Sequence, residues 1–207
     1  MERLRARVRV EGIEVAPTWS ITQMNTDRKS VLPERVSTEW YQLLNQWARS
    51  GALGLAAAKS LAINTSSAEL NEVVQDLSGG KFQCIPEIEL LSQENIQGNA
   101  GAYAIATNKI YLNQDWITRA STQEICKVLT EEFGHHLDWL LNESDIPGDE
   151  GEIFRNLLFG EESGSGSRQN DAVVIMLASG VTVEGEAADL SGGEGNDTIT
   201  GSSGNDT

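Results

Sequence analysis

Residues 130–140 read TEEFGHHLDWL, with two adjacent carboxylates, two adjacent histidines and an aspartate inside nine positions. The pattern around them is helical, and at about 100° per residue Glu131, His135 and Asp138 fall on one stripe. Glu132 lies about 100° round from Glu131, with His136 about 40° beyond it. Leu129, Phe133, Leu137 and Leu140 cover much of the remaining circumference. A half-buried polar stripe of this kind needs partners or a cation. Carboxylates and imidazole one helical turn apart are suitable ligands for a divalent ion, and a carboxylate beside them can act as general base toward a bound water. The competing reading is an acidic helix face that happens to hold both histidines of the chain.

Glu131-Glu132-Phe133-Gly134-His135 is H-E-x-x-H with glutamate in place of the first histidine. In the standard motif the histidines at i and i+4 bind zinc and the glutamate is the base. Carried over by position, Glu132 is the expected base, His135 a ligand and Glu131 a carboxylate ligand. Zincins of the glutamate-ligand type take a third ligand from a following helix, where Glu150 and Glu152 stand. Ile153, Phe154, Leu157 and Leu158 define the buried face of that helix; Glu150 falls on it and Glu152 roughly opposite, so Glu150 is the expected third ligand. Asp138 is an alternative ligand or a partner to a ligating histidine. One histidine with two carboxylates favours a harder ion than zinc does, such as manganese or calcium.

The elements that must position these groups follow from local signals. STEWYQLLNQWARSG predicts an amphipathic helix from Ser37 to Gly51, its tryptophans in the core. Ser66-x-x-Glu69 predicts the start of a second helix over 67–77, closed by Gly79-Gly80. PEIELL (86–91), GAYAIA (101–106) and KIYLN (109–113) have strand character, the last two forming a hairpin at Thr107-Asn108. Ser121-x-x-Glu124 opens the central helix, which keeps its pattern to Asn142. Asp149 is the expected cap of GEIFRNLLFG, which stops at Gly160. ESGSGSRQND then reads as a linker, and AVVIMLASGVTVEGE as two strands around Ser179-Gly180.

The tail GGEGNDTIT (192–200) matches the nonapeptide G-G-x-G-x-D-x-U-x, and GSSGNDT starts a second copy. It resembles the RTX, or hemolysin-type, calcium-binding repeat. The resemblance implies calcium held by backbone at Gly193 and Gly195 and by Asp197 and Asp206, with Ile199 packed inside a parallel β-roll. Fewer than two copies stand here, and about three are needed for stability.

GAYAIATNKIYLN, LTEEFGHHLD and PGDEGEIF together resemble a domain found upstream of RTX repeats in bacterial hemolysin-type proteins. They are also similar to the lethal-factor-type zinc metalloproteases. The resemblance implies an α+β, zincin-like fold of helices and a small sheet, followed by the start of a β-roll. The resemblance spans roughly residues 80–160; with the local signals it divides the chain into a leader or arm (1–36), the zincin-like domain (37–160), a linker and β-rich extension (161–188) and the repeat (189–207). Two functions follow from it. One is a metallopeptidase-like enzyme acting on a protein or peptide, with KIYLN as a substrate-aligning edge strand. The other is a non-catalytic calcium-binding exoprotein whose helix site is structural or degenerate. Calcium is the expected cofactor, with zinc or manganese as candidates on the helix.

Composition narrows the partners. The chain of 207 residues carries 31 acids and 15 bases, a net charge of −16, which disfavours nucleic acid and anionic membrane surfaces. Residues 131–207 hold only two bases, Arg155 and Arg168, so the cation-attracting half is the C-terminal one. The apolar run at Leu55–Ala58 stops at Lys59, far short of the roughly 20 residues a membrane span needs. MERLRARVRV has no continuous apolar stretch and is not a secretory signal peptide of the usual kind; secretion without an N-terminal signal is what the RTX resemblance implies. Cys84 and Cys126 read as thiols and not as a bridge. Neither a nucleophile-elbow serine nor a phosphate-binding glycine loop is present. Substrate and oligomeric state are not legible.

Overall fold

A computed structural model describes residues 32–142, 150–161 and 172–188. Three helices open the described chain: α1 (Glu34–Ser50), α2 (Ala52–Ser60) and α3 (Ala68–Ser78) precede strand β1 (Glu87–Leu91), hairpin β2 (Gly101–Ala104) and β3 (Lys109–Asn113), and the short α4 (Gln114–Ile117). The long α5 (Thr122–Leu141), α6 (Glu150–Phe159) and a second hairpin, β4 (Ala172–Met176) and β5 (Thr182–Ala187), follow. The fold is α+β.

Local chemistry explains most of the boundaries. α1 starts at Glu34 after Pro33, three residues before the expected Ser37, because proline's fixed φ suits a helix entry. Gly51 then takes φ +81° and lets α2 begin almost at once. No element was expected over 52–60, where small apolar residues lack a clear period. At α3 the cap is Ser67 and not Ser66: its side chain accepts from Leu70 N, while Ser66 is held by Asn64 Oδ1. The expected Ser121/Glu124 capping box is present, with Glu124 N to Ser121 Oγ at 3.2 Å and Ser121 N to Glu124 Oε2 at 2.6 Å.

The strands form one sheet in the order β1-β3-β2-β5-β4, with β1 parallel to β3 and the other pairs antiparallel. Two sequence expectations change here. KIYLN is β3, paired on both sides, so it cannot align a substrate; the edges are β1 and β4. Residues 172–188 are no extension, because β5 pairs with β2 and completes the sheet.

Strand alternation then divides the core. Tyr103, Ile110 and Leu112 face the helices with Trp40, Leu44, Phe133 and Phe154. Ala102, Ala104, Tyr111, Val173 and Ile175 face the opposite side, where Leu91 and Ile96 cover them. Trp40 is fully buried and its Nε1 donates to Thr130 Oγ1 at 3.1 Å, which fixes α1 across α5. Both cysteines are free. No helix among the described residues is long and apolar enough to cross a membrane.

Candidate functional site on the central helix

α5 lies between β2 on one side and α6 on the other, and this sandwich buries the whole motif. Glu131 and Glu132 have no exposed surface; His135, His136 and Asp138 keep only a few per cent. Two glycines allow the closeness. A Cβ on Gly134 would stand 2.8 Å from Gly151 Cα, and one on Gly151 would stand 2.4 Å from His135 Nε2. Helix α6 therefore rests directly on the imidazole.

Each motif side chain has a definite partner. Arg155 Nη1 donates to Glu131 Oε2 in a short charge-assisted contact. His135 Nδ1 lies 2.8 Å from Glu186 Oε2 of β5. Glu132 Oε1 accepts from the backbone N–H of Ala188 at 3.0 Å, while its Oε2 has no hydrogen-bond partner among the described residues. His136 sits between Cys84 O, at 3.0 Å from Nε2, and the Tyr103 hydroxyl, at 3.1 Å from Nδ1. A carbonyl only accepts, so Nε2 carries a hydrogen and the ring links the loop before β1 to β2. Asp138 Oδ1 accepts from Asn142 Nδ2 at 2.6 Å, and the same amide reaches Leu61 O at 3.1 Å.

Electrostatics follow from burial and these pairs. Burial holds the Glu132 carboxyl well above the usual carboxylate range, with His135 working against it. For His135 burial pulls downward, yet the Glu186 carboxylate beside Nδ1 and the charges of Glu132 and Glu131 outweigh it and bring the imidazole up to about 10. Burial also pushes Glu186 up, but His135 more than offsets this and its carboxyl lies below the ordinary range.

The expected metal set is therefore engaged elsewhere. Glu131 is neutralised by Arg155; His135 has Glu186 at Nδ1 and Gly151 against Nε2. Glu150 is buried on α6, as its period predicts, and Glu152 is less so, directed to Arg155 Nη2 at 3.4 Å. Asp138 ties down the end of its own helix. Among the described residues no three His, Cys, Asp or Glu side chains are grouped so as to hold a metal ion. As arranged, Glu131 and His135 each meet a charged side chain of the protein. The calcium ligands expected at Gly193, Gly195, Asp197 and Asp206, and the cap expected at Asp149, lie outside the described residues.

No protein-family model matches this chain, and neither a curated protein nor a solved structure shows significant similarity to it. The site must therefore be read on its own residues.

Two of those residues, Arg155 and Glu186, were missed in the sequence. Arg155 had a signal: it is one of two bases in an acidic half, one turn beyond Glu152. Glu186 had none, because only sheet pairing carries it across to α5, which lies about 50 positions earlier in the chain.

Proposed function

We propose that this is a secreted, RTX-type calcium-binding protein in which α5 is a structural helix and not the metal helix of a working peptidase. The observation that carries the reading is the seal over Glu132. A general base must reach a water beside a substrate. Glu132 has no exposed surface, one oxygen is taken by Ala188 N–H, and a Cβ on Gly101 would stand 2.9 Å from that same oxygen. The calcium role rests on the nine-residue match at 192–200, and export rests on the same resemblance.

A second reading has one observation in its favour. Oε2 of Glu132 is buried without a hydrogen-bond partner, an arrangement that costs about 1–3 kcal/mol and is common where chemistry is done. In that reading the chain is a metal-dependent hydrolase with Glu132 as base.

One paired experiment separates them. Calcium binding is measured by titration calorimetry on the full chain and on Asp197→Ala, and peptidase activity is measured on the full chain and on Glu132→Gln. The proposal expects calcium binding that is weak, as fewer than two repeats imply, and weaker still in Asp197→Ala, and no hydrolysis in either protein of the second pair. Hydrolysis abolished by Glu132→Gln would establish the second reading instead.

A further inference from the structure

We infer that Arg155 is the resident counter-cation of Glu131, taking the carboxylate that the motif would offer to a metal, so that α5 is held to α6 without one. The inference rests on the structural reading of α5 given above and identifies what holds that helix to α6.

Glu131 is fully buried, and a buried carboxylate needs a compensating charge. Arg155 supplies it from the neighbouring helix. Its side chain is mostly buried and each guanidinium nitrogen is used: Nη1 on Glu131, Nη2 on Asn156 Oδ1 at 2.9 Å and Glu152 Oε1 at 3.4 Å, and Nε on Asn156 Oδ1 at 3.1 Å. Asn156 is itself buried, and its Nδ2 reaches Glu152 Oε1 at 3.4 Å. The buried amide thus holds the plane of the guanidinium while Nη1 points at Glu131. A planar fork with fixed charge suits this task, because arginine does not lose its proton in proteins. A metal ion on the same oxygen of Glu131 would have to displace a cation that cannot be neutralised, and would leave it beside a second positive charge.

The site is therefore a helix staple with the first-ligand position of the motif as its anchor. Three variants of the full chain test it: Arg155→Met, Glu131→Leu and the two combined. Thermal unfolding is followed by circular dichroism in EDTA and again with zinc or manganese, and bound metal is counted by mass spectrometry. Wild type is expected to hold neither zinc nor manganese and to melt at the same temperature in every buffer. Arg155→Met, which strands a buried carboxylate, is expected to melt at least about 6 °C lower. The combined variant, with both charges removed, is expected to recover most of that loss; if Arg155→Met does not fold at all, recovery in the combined variant carries the proposal.

Two results overturn it: one equivalent of zinc or manganese in wild type that disappears in Glu131→Leu, or a combined variant that melts as low as, or lower than, the worse single one. No arm reads activity. Hydrolysis in the earlier assay would sink the functional reading and leave the role of Arg155 to be decided by melting and metal content.

Discussion

The backbone N–H of Ala188 donates to Oε1 of Glu132 at 3.0 Å, although the two residues lie 56 positions apart. Glu186, two residues before Ala188, holds His135 at 2.8 Å. Glu186 reaches His135 by its side chain from β5, and Ala188, just past the end of that strand, reaches Glu132 by its backbone, so this one stretch closes over both motif residues. The closure decides how each behaves when changed.

Glu132→Gln keeps the acceptor for Ala188 N–H and removes an acid whose charge burial opposes. The expected result is an unchanged or slightly higher melting temperature near pH 8, by up to about 4 °C. A fall of similar size would show that Oε2 carries a charge matched by a bound cation.

The pH dependence has a definite sign. His135 is raised to about 10 in the fold, so its contribution is fully present below about 6.5 and is lost as pH rises through about 10. Glu132, also raised, contributes less as pH climbs above about 4.5. Glu186 is lowered, so its contribution stands above about 4.5 and is lost as pH falls through its folded value. Urea denaturation between about pH 6.5 and 10 should therefore show wild-type stability falling, and Glu186→Gln falling much less. Parallel slopes in the two proteins would remove His135–Glu186 as the cause.

Gly151→Ala places a methyl 2.4 Å from His135 Nε2 and 2.7 Å from Glu131 O, where backbone cannot yield cheaply. A loss of about 2–4 kcal/mol is expected in the denaturation midpoint. Gly134→Ala meets Gly151 Cα at 2.8 Å and should also destabilise. Because both force α5 and α6 apart, the double variant should lose less than the sum. Simple additivity would mean that the helices do not move as a pair.

His136→Phe keeps the ring and loses both of its polar contacts. The carbonyl of Cys84 is left without this donor, so a loss of about 1–2 kcal/mol is expected in the same assay. No change at all would make the Tyr103–His136–Cys84 link energetically silent.

Much of the framework was legible because its signals are local. The capping box at Ser121, the strands at 87–91, 101–104 and 109–113, the stop at Gly160 and the turn at Gly180 each depend on residues a few positions apart. Period alone also placed Glu150 inside and Glu152 toward the rim. By itself, then, the sequence determined an α+β chain with an acidic, histidine-bearing central helix. It could not determine what those side chains would meet. That Arg155 takes Glu131, that Glu186 takes His135 and that Ala188 closes on Glu132 depends on α6 and β5 packing against α5 from two sides. Such contacts are set by the folded geometry and leave no periodic trace. The tertiary structure alone therefore decided that Glu131 and His135, spaced to bind metal, each meet a charged side chain of the protein.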